Sequence, residues 1–98
     1  MLYLCQISTA WPSELGAAAR QALLEREWER GRNLRKLGKI AAIWRVEGRS
    51  ASVSLWQVES QQELQDLLAS LPLPRYQTVE VHTLTAHPVM TEVNNTDV

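Results

Sequence analysis

The chain has 98 residues, 45% of them hydrophobic and 21% charged, with ten basic and eleven acidic side chains giving a net charge of −1. One ordinary globular domain accounts for that length and balance, and the absence of a basic tract excludes the electrostatic footprint of a nucleic-acid binder. A single cysteine, Cys5, rules out an intrachain disulfide, and two histidines without metal-ligand spacing argue against a structural zinc site.

Residues Leu2 to Thr9 form the first expected strand, with Cys5 as a small core residue in it. Pro12 and Ser13 mark a turn, with Ser13 as the expected N-cap of a helix from about Glu14 to Leu37, rich in Ala, Leu, Glu and Arg. Gly38 closes that helix as a C′ residue. Lys39 to Glu47 and Ala51 to Val58 read as two strands joined by the short turn Gly48-Arg49-Ser50. Ser60 and Glu63 make a capping-box pattern for a second helix running to about Ser70, which Pro72 and Pro74 end. Tyr76 to Leu84 gives the fourth strand. No stretch is apolar for the roughly 18 residues of a membrane span. The reading is a soluble cytoplasmic protein with no membrane partner. Its domain is expected over residues 1–88, followed by a polar tail over 89–98.

The order β-α-β-β-α-β predicts an α+β fold of ferredoxin-like type, an antiparallel four-stranded sheet with two helices on one face. In the second strand, simple alternation puts Ile40, Ala42, Trp44 and Val46 on one side and Ala41, Ile43 and Arg45 on the other. Both sides then carry apolar residues. Four tryptophans (Trp11, Trp28, Trp44, Trp56) exceed what so small a core needs. A second buried surface is the physical explanation, so the chain is expected to form oligomers through the sheet or its edge.

The long helix carries the chemical anomaly. Leu15, Ala19, Leu23, Leu34 and Leu37 share one stripe, and Glu27 falls on it, about 20° from Leu34 and about 40° from Leu23. Arg30 lies beside it. A carboxylate on an apolar stripe is costly unless paired or used. Two readings stay open: a Glu27–Arg30 pair at the core edge, or a helix that passes over a pocket and presents Glu27 to it as a proton-transfer group of raised pKa. Arg45, within an apolar strand, is either a carboxylate-binding group or the partner of a nearby acid such as Glu47. His82 and His87 read as ordinary polar residues.

A collinear set of residues resembles muconolactone isomerase: Met1-Leu2-Tyr3, Pro12, Glu27, Leu34, Gly38, Ile43-Trp44-Arg45, Gly48, Ala51, Ser54, Val58, Leu64, Leu71-Pro72-Leu73, Tyr76, Glu80-Val81, Leu84 and His87-Pro88. The resemblance covers about residues 1 to 88. It implies the same fold in a dimeric α+β barrel type of assembly, a homo-oligomer (a decamer in the family's known members), and no metal or organic cofactor. It also implies a place in bacterial aromatic catabolism, converting muconolactone to 3-oxoadipate enol-lactone. Glu27 is then the catalytic residue, Arg45 or Arg30 the clamp on the substrate's carboxylate, and Tyr76, Ser50 and Ser52 the donors to the lactone. The chain departs from the family's usual lysine at Trp28, from tyrosine and asparagine at Ser50 and Ser52, and from an aromatic-proline order at Pro74-Arg75. Those departures predict a wider pocket and leave two alternatives open: an isomerase of a different substituted lactone, or a non-catalytic oligomer that binds a small ligand.

Overall fold

A computed structural model of the chain describes residues 1–90, so the polar tail expected over 89–98 lies outside the described residues from 91 onward. The elements are β1 (Leu2–Thr9), α1 (Ala17–Lys36), β2 (Ile40–Arg45), β3 (Ala51–Gln57), α2 (Gln61–Ala69), a 3-10 turn (Pro74–Tyr76) and β4 (Gln77–Leu84). The four strands form one antiparallel sheet in the order β2-β3-β1-β4. This is the expected βαββαβ arrangement. Among the described residues, no helix is long and apolar enough to cross a membrane.

The pleat sorts β1 cleanly. Tyr3, Cys5 and Ile7 are buried and face the helices, while Leu2, Leu4 and Gln6 between them are half-covered on the other side. Trp56 pairs with Tyr3 and Ser54 with Cys5, so both share the helix-side face, and both are buried. Leu34 of α1, Leu64 of α2, Ile40, Val58 and Leu71 complete that core. Burial pushes the Cys5 thiol up to about 11, which makes it a neutral core group at neutral pH and not a nucleophile.

The ends of α1 contrast. At its C-terminus Gly38 takes φ +76°, and the amides of Lys39 and Gly38 donate to the carbonyls of Leu34 and Arg35 in a Schellman closure. At its N-terminus the expected start at Glu14 with Ser13 as cap is wrong. Gly16 is the N-cap, without a side-chain cap. The Arg20 guanidinium donates to the carbonyls of Pro12 and Leu15, which holds residues 12–15 as a separate turn before the helix. The expected apolar stripe also thins out. Leu34 is its one fully buried member, whereas Ala19 is exposed and Leu37, now the C-cap, is 67% exposed. For α2 the sequence reading holds: Ser60 Oγ accepts from the Glu63 amide, and Glu63 reaches back to the Glu59 amide.

The alternation expected for β2 is overturned by a bulge. Ile40 pairs with Trp56 but Ala42 with Leu55, so the ladder slips by one residue at Ala41. Past the slip, Ile43 pairs with Ser54 and Arg45 with Ser52. Ile43 and Arg45 therefore lie on the helix side with Ile40, while Ala42 and Trp44 lie on the outer face. Arg35 satisfies the irregular backbone by donating to the carbonyls of Ile40 and Ala41. The bulge thus delivers Arg45 to the side of the sheet where α1 passes.

Candidate active site

A cleft of about 660 Å³ opens between α1 and the β2–β3 end of the sheet. Its floor is helix-side sheet: Ile7, Ile43, Ser52, Ser54 and Trp56. Trp11 and Trp28 give it aromatic walls, and Arg49 and Ser50 of the hairpin stand at its rim. The indole N–H of Trp56 donates to Ser54 Oγ at 2.9 Å, so the buried polar atoms of the floor are used internally.

Glu27 is the acid of this cleft. Its Oε2 accepts from Gln77 Nε2 at 2.6 Å, and its Oε1 is buried with no hydrogen-bond partner. Loss of hydration is the largest influence and raises the pKa of the carboxyl above the ordinary glutamate value; the Gln77 hydrogen bond and the Leu73 backbone act in the opposite direction. A buried carboxylate oxygen without a partner is an uncompensated desolvation, and together with the raised pKa it makes Glu27 the candidate reacting group of the cleft.

The pairing of Glu27 with Arg30 does not form. The Arg30 guanidinium instead donates to Ser70 Oγ at 3.2 and 3.1 Å, anchoring α1 to the end of α2 outside the cleft lining. Arg45 lines the cleft, and its side chain has no ion pair or hydrogen bond among the described residues; the alternative bond to Glu47 is absent there. Arg32 and Arg49, which the sequence did not single out, line it too and are equally unpaired among those residues. These three guanidiniums, from α1, β2 and the hairpin, and a fourth from Arg35, which is tied to backbone carbonyls, line a cleft that holds one carboxylate, a field suited to an anionic ligand. Ser50 and Ser52 line the cleft as expected. Tyr76 stays behind it, with its ring 5.6 Å from that of Trp11, and so supports an aromatic wall without being part of the lining.

Gln77, which lines the cleft and donates to Glu27, was not singled out in the sequence. It is the first residue of β4, fifty positions from Glu27, and only the antiparallel pairing with Thr9 brings it to the cleft. Among the described residues no cluster of three or more His, Cys, Asp or Glu side chains could hold a metal.

The family model described as muconolactone delta-isomerase matches residues 1–90. The chain is 33% identical over 86 residues to the muconolactone delta-isomerase of Rhodococcus opacus, covering 88% of this chain and 92% of that protein. It is 35% identical over 88 residues to that of Cupriavidus pinatubonensis, covering 90% and 96%. A crystal structure of muconolactone isomerase superposes with a TM-score of 0.84 at 32% identity over 90% of this chain and 92% of the other. A 5-chloro-2-hydroxyhydroquinone dehydrochlorinase from Burkholderia phenoliruptrix shares the fold, with a TM-score of 0.70 at 16% identity over 89% and 96%. With its βαββαβ sheet, a carboxylate at the wall of the cleft and similarity along nearly the whole domain, the chain belongs to the muconolactone delta-isomerase family.

Proposed function

We propose that the chain is an isomerase that moves a proton on muconolactone or a closely related butenolide, yielding the enol-lactone, as part of bacterial aromatic catabolism. The observation that carries this reading is Glu27: a carboxylate at the cleft wall, raised in pKa by burial, with one oxygen held and one unpartnered.

The chemistry balances with one residue. Glu27 takes the proton from the γ carbon of the conjugated lactone. The electron pair left behind delocalises through the ring to the carbonyl oxygen, giving a dienolate that resembles a 2-oxyfuran. The carboxyl then returns a proton to the α carbon, the double bond settles between the β and γ carbons, and Glu27 is regenerated as carboxylate. A base whose pKa is lifted towards the working pH suits both halves of that round trip. Arg45 is the clamp for the substrate's free carboxylate, flanked by Arg32 and Arg49. The hydroxyls of Ser50 and Ser52 are the donors for charge developing on the carbonyl oxygen. No step calls for a metal or an organic cofactor.

The outer sheet face supports assembly with further copies of the chain. Leu2, Leu4, Val53 and Leu55 are only half-covered there, and Trp44 is 53% exposed. A homo-oligomer that covers this face, a decamer by resemblance to the family, removes that apolar surface from water.

The test is direct. Purified protein mixed with muconolactone should bleach the absorbance of the conjugated lactone, because the product is no longer conjugated. If neither muconolactone nor a panel of substituted butenolides is consumed, the isomerase reading fails and a ligand-binding role replaces it.

A further inference from the structure

We infer that Gln77 is a positioning residue for the proton transfer: by donating to Oε2 of Glu27 it fixes the carboxylate and leaves Oε1 as the oxygen that carries the proton. The inference rests on the isomerase reading and adds to it a residue, and a choice between two oxygens.

The geometry is specific. The hydrogen bond is 2.6 Å, short even for a charge-assisted contact, and it links the middle of α1 to the first residue of β4. An ionised carboxylate offers only acceptors, so the Gln77 amide presents its nitrogen. That nitrogen is the one side-chain donor on Glu27 among the described residues. Three features hold Gln77 in place. The 3-10 turn Pro74–Tyr76 precedes it, closed by the Tyr76 amide on the Leu73 carbonyl at 3.0 Å. The Tyr76 carbonyl accepts from the Ala10 amide at 2.8 Å. Thr9 is its partner in the sheet ladder.

The consequence is asymmetric. One carboxylate oxygen is committed to an amide that cannot take a proton at working pH, and the other is buried with no partner. The second has no hydrogen bond to give up when it takes the γ hydrogen. When Oε1 takes the proton, Oε2 remains an acceptor, so the Gln77 nitrogen stays its donor through both halves of the transfer. The bond is stronger to the charged state, so it holds the acid down against the desolvation that lifts it.

The test uses Gln77→Leu, which keeps the bulk and removes the donor, and Gln77→Glu, which keeps the length and places a second carboxyl against the first. Two readouts serve: titration of the Glu27 side-chain carbon by NMR in free protein, and the acid limb of the pH profile of kcat/KM. Gln77→Leu should move both upward by about one pH unit, the share of one bond where two or three lower a carboxylate by about two. Gln77→Glu should move them further, because two carboxyls in contact share one proton. A purely structural role would lower activity at all pH values and leave the Glu27 titration where it is in wild type, and that result overturns the inference. The NMR titration needs no turnover, so it stands even if Glu27→Gln shows that the isomerase reading is wrong. If Gln77→Leu does not fold, Gln77→Glu carries the test with the same outcomes.

Discussion

Replacing Arg45 with Gln separates the two carboxylate clamps that the sequence offered. Arg45 lines the cleft on the helix side of β2, whereas Arg30 is tied to Ser70 outside the lining. A hydrogen bond to a charged partner contributes about 1.5–3 kcal/mol. Arg45 is exposed and has Arg32 and Arg49 for neighbours in the cleft, so screening and substitution by those guanidiniums put the loss at the low end. The expected cost is a fall in kcat/KM of roughly 10-fold to 30-fold, at about 1.4 kcal/mol per factor of ten. It should appear mainly in KM, because the substrate's carboxylate is bound equally in the ground and transition states. The assay is initial-rate loss of lactone absorbance, run with muconolactone and with its methyl ester. The wild-type preference for the acid over the ester should collapse in Arg45→Gln, and raised salt should shrink it in wild type. Arg30→Gln should stay within about twofold, the scale of an ordinary surface substitution. An equal loss on acid and ester, or a larger loss at Arg30 than at Arg45, would refute this placement of the clamp.

Glu27→Gln should raise thermal stability at pH 7. Burial raises the folded-state pKa of Glu27 above the ordinary value of 4.5, so the folded state holds the proton more tightly than the unfolded one. The resulting stability is complete below that ordinary value and is lost as pH rises through the raised one. The carboxyl is only half-buried, so the gain from Gln should be under about 1 kcal/mol, or a few degrees in Tm. Melting curves at pH 7 and pH 4.5 should show that advantage fading at the lower pH. Ser60→Ala removes the hydroxyl that accepts from the Glu63 amide and should cost about 1 kcal/mol in urea denaturation. Leu64→Ala opens a cavity at a side chain with no exposed surface and should cost about 2–5 kcal/mol by the same measurement.

Local signals in the sequence were sufficient wherever neighbours in the chain decide the outcome. The Ser60–Glu63 box, the Gly38 closure and the hairpin at Gly48 depend on a few adjacent residues, and each forms as expected. Glu27 was legible because a helix imposes a period against which one charge stands out. Outcomes set by distant contacts were not legible. Arg20 holds residues 12–15 out of the helix by reaching two carbonyls, and that competes with the cap that Ser13 would make. The bulge at Ala41 reverses the faces of Ile43 and Arg45 without a glycine or proline to mark it. Arg30 looks like a partner for Glu27 on a helical wheel, yet Ser70, forty positions away, receives its guanidinium. Gln77 is one glutamine among polar strand residues until the sheet order sets it beside α1.

Every mechanistic step above requires the Glu27 carboxyl to be the group that lifts the hydrogen from one carbon and delivers one to another. The most direct trial is turnover of muconolactone by Glu27→Gln at matched protein concentration, with assembly size checked by light scattering. The account predicts a loss of about a thousandfold or more, as when a general base is removed, in a particle of unchanged mass. Turnover within about tenfold of wild type, by a correctly assembled Glu27→Gln protein, would contradict it.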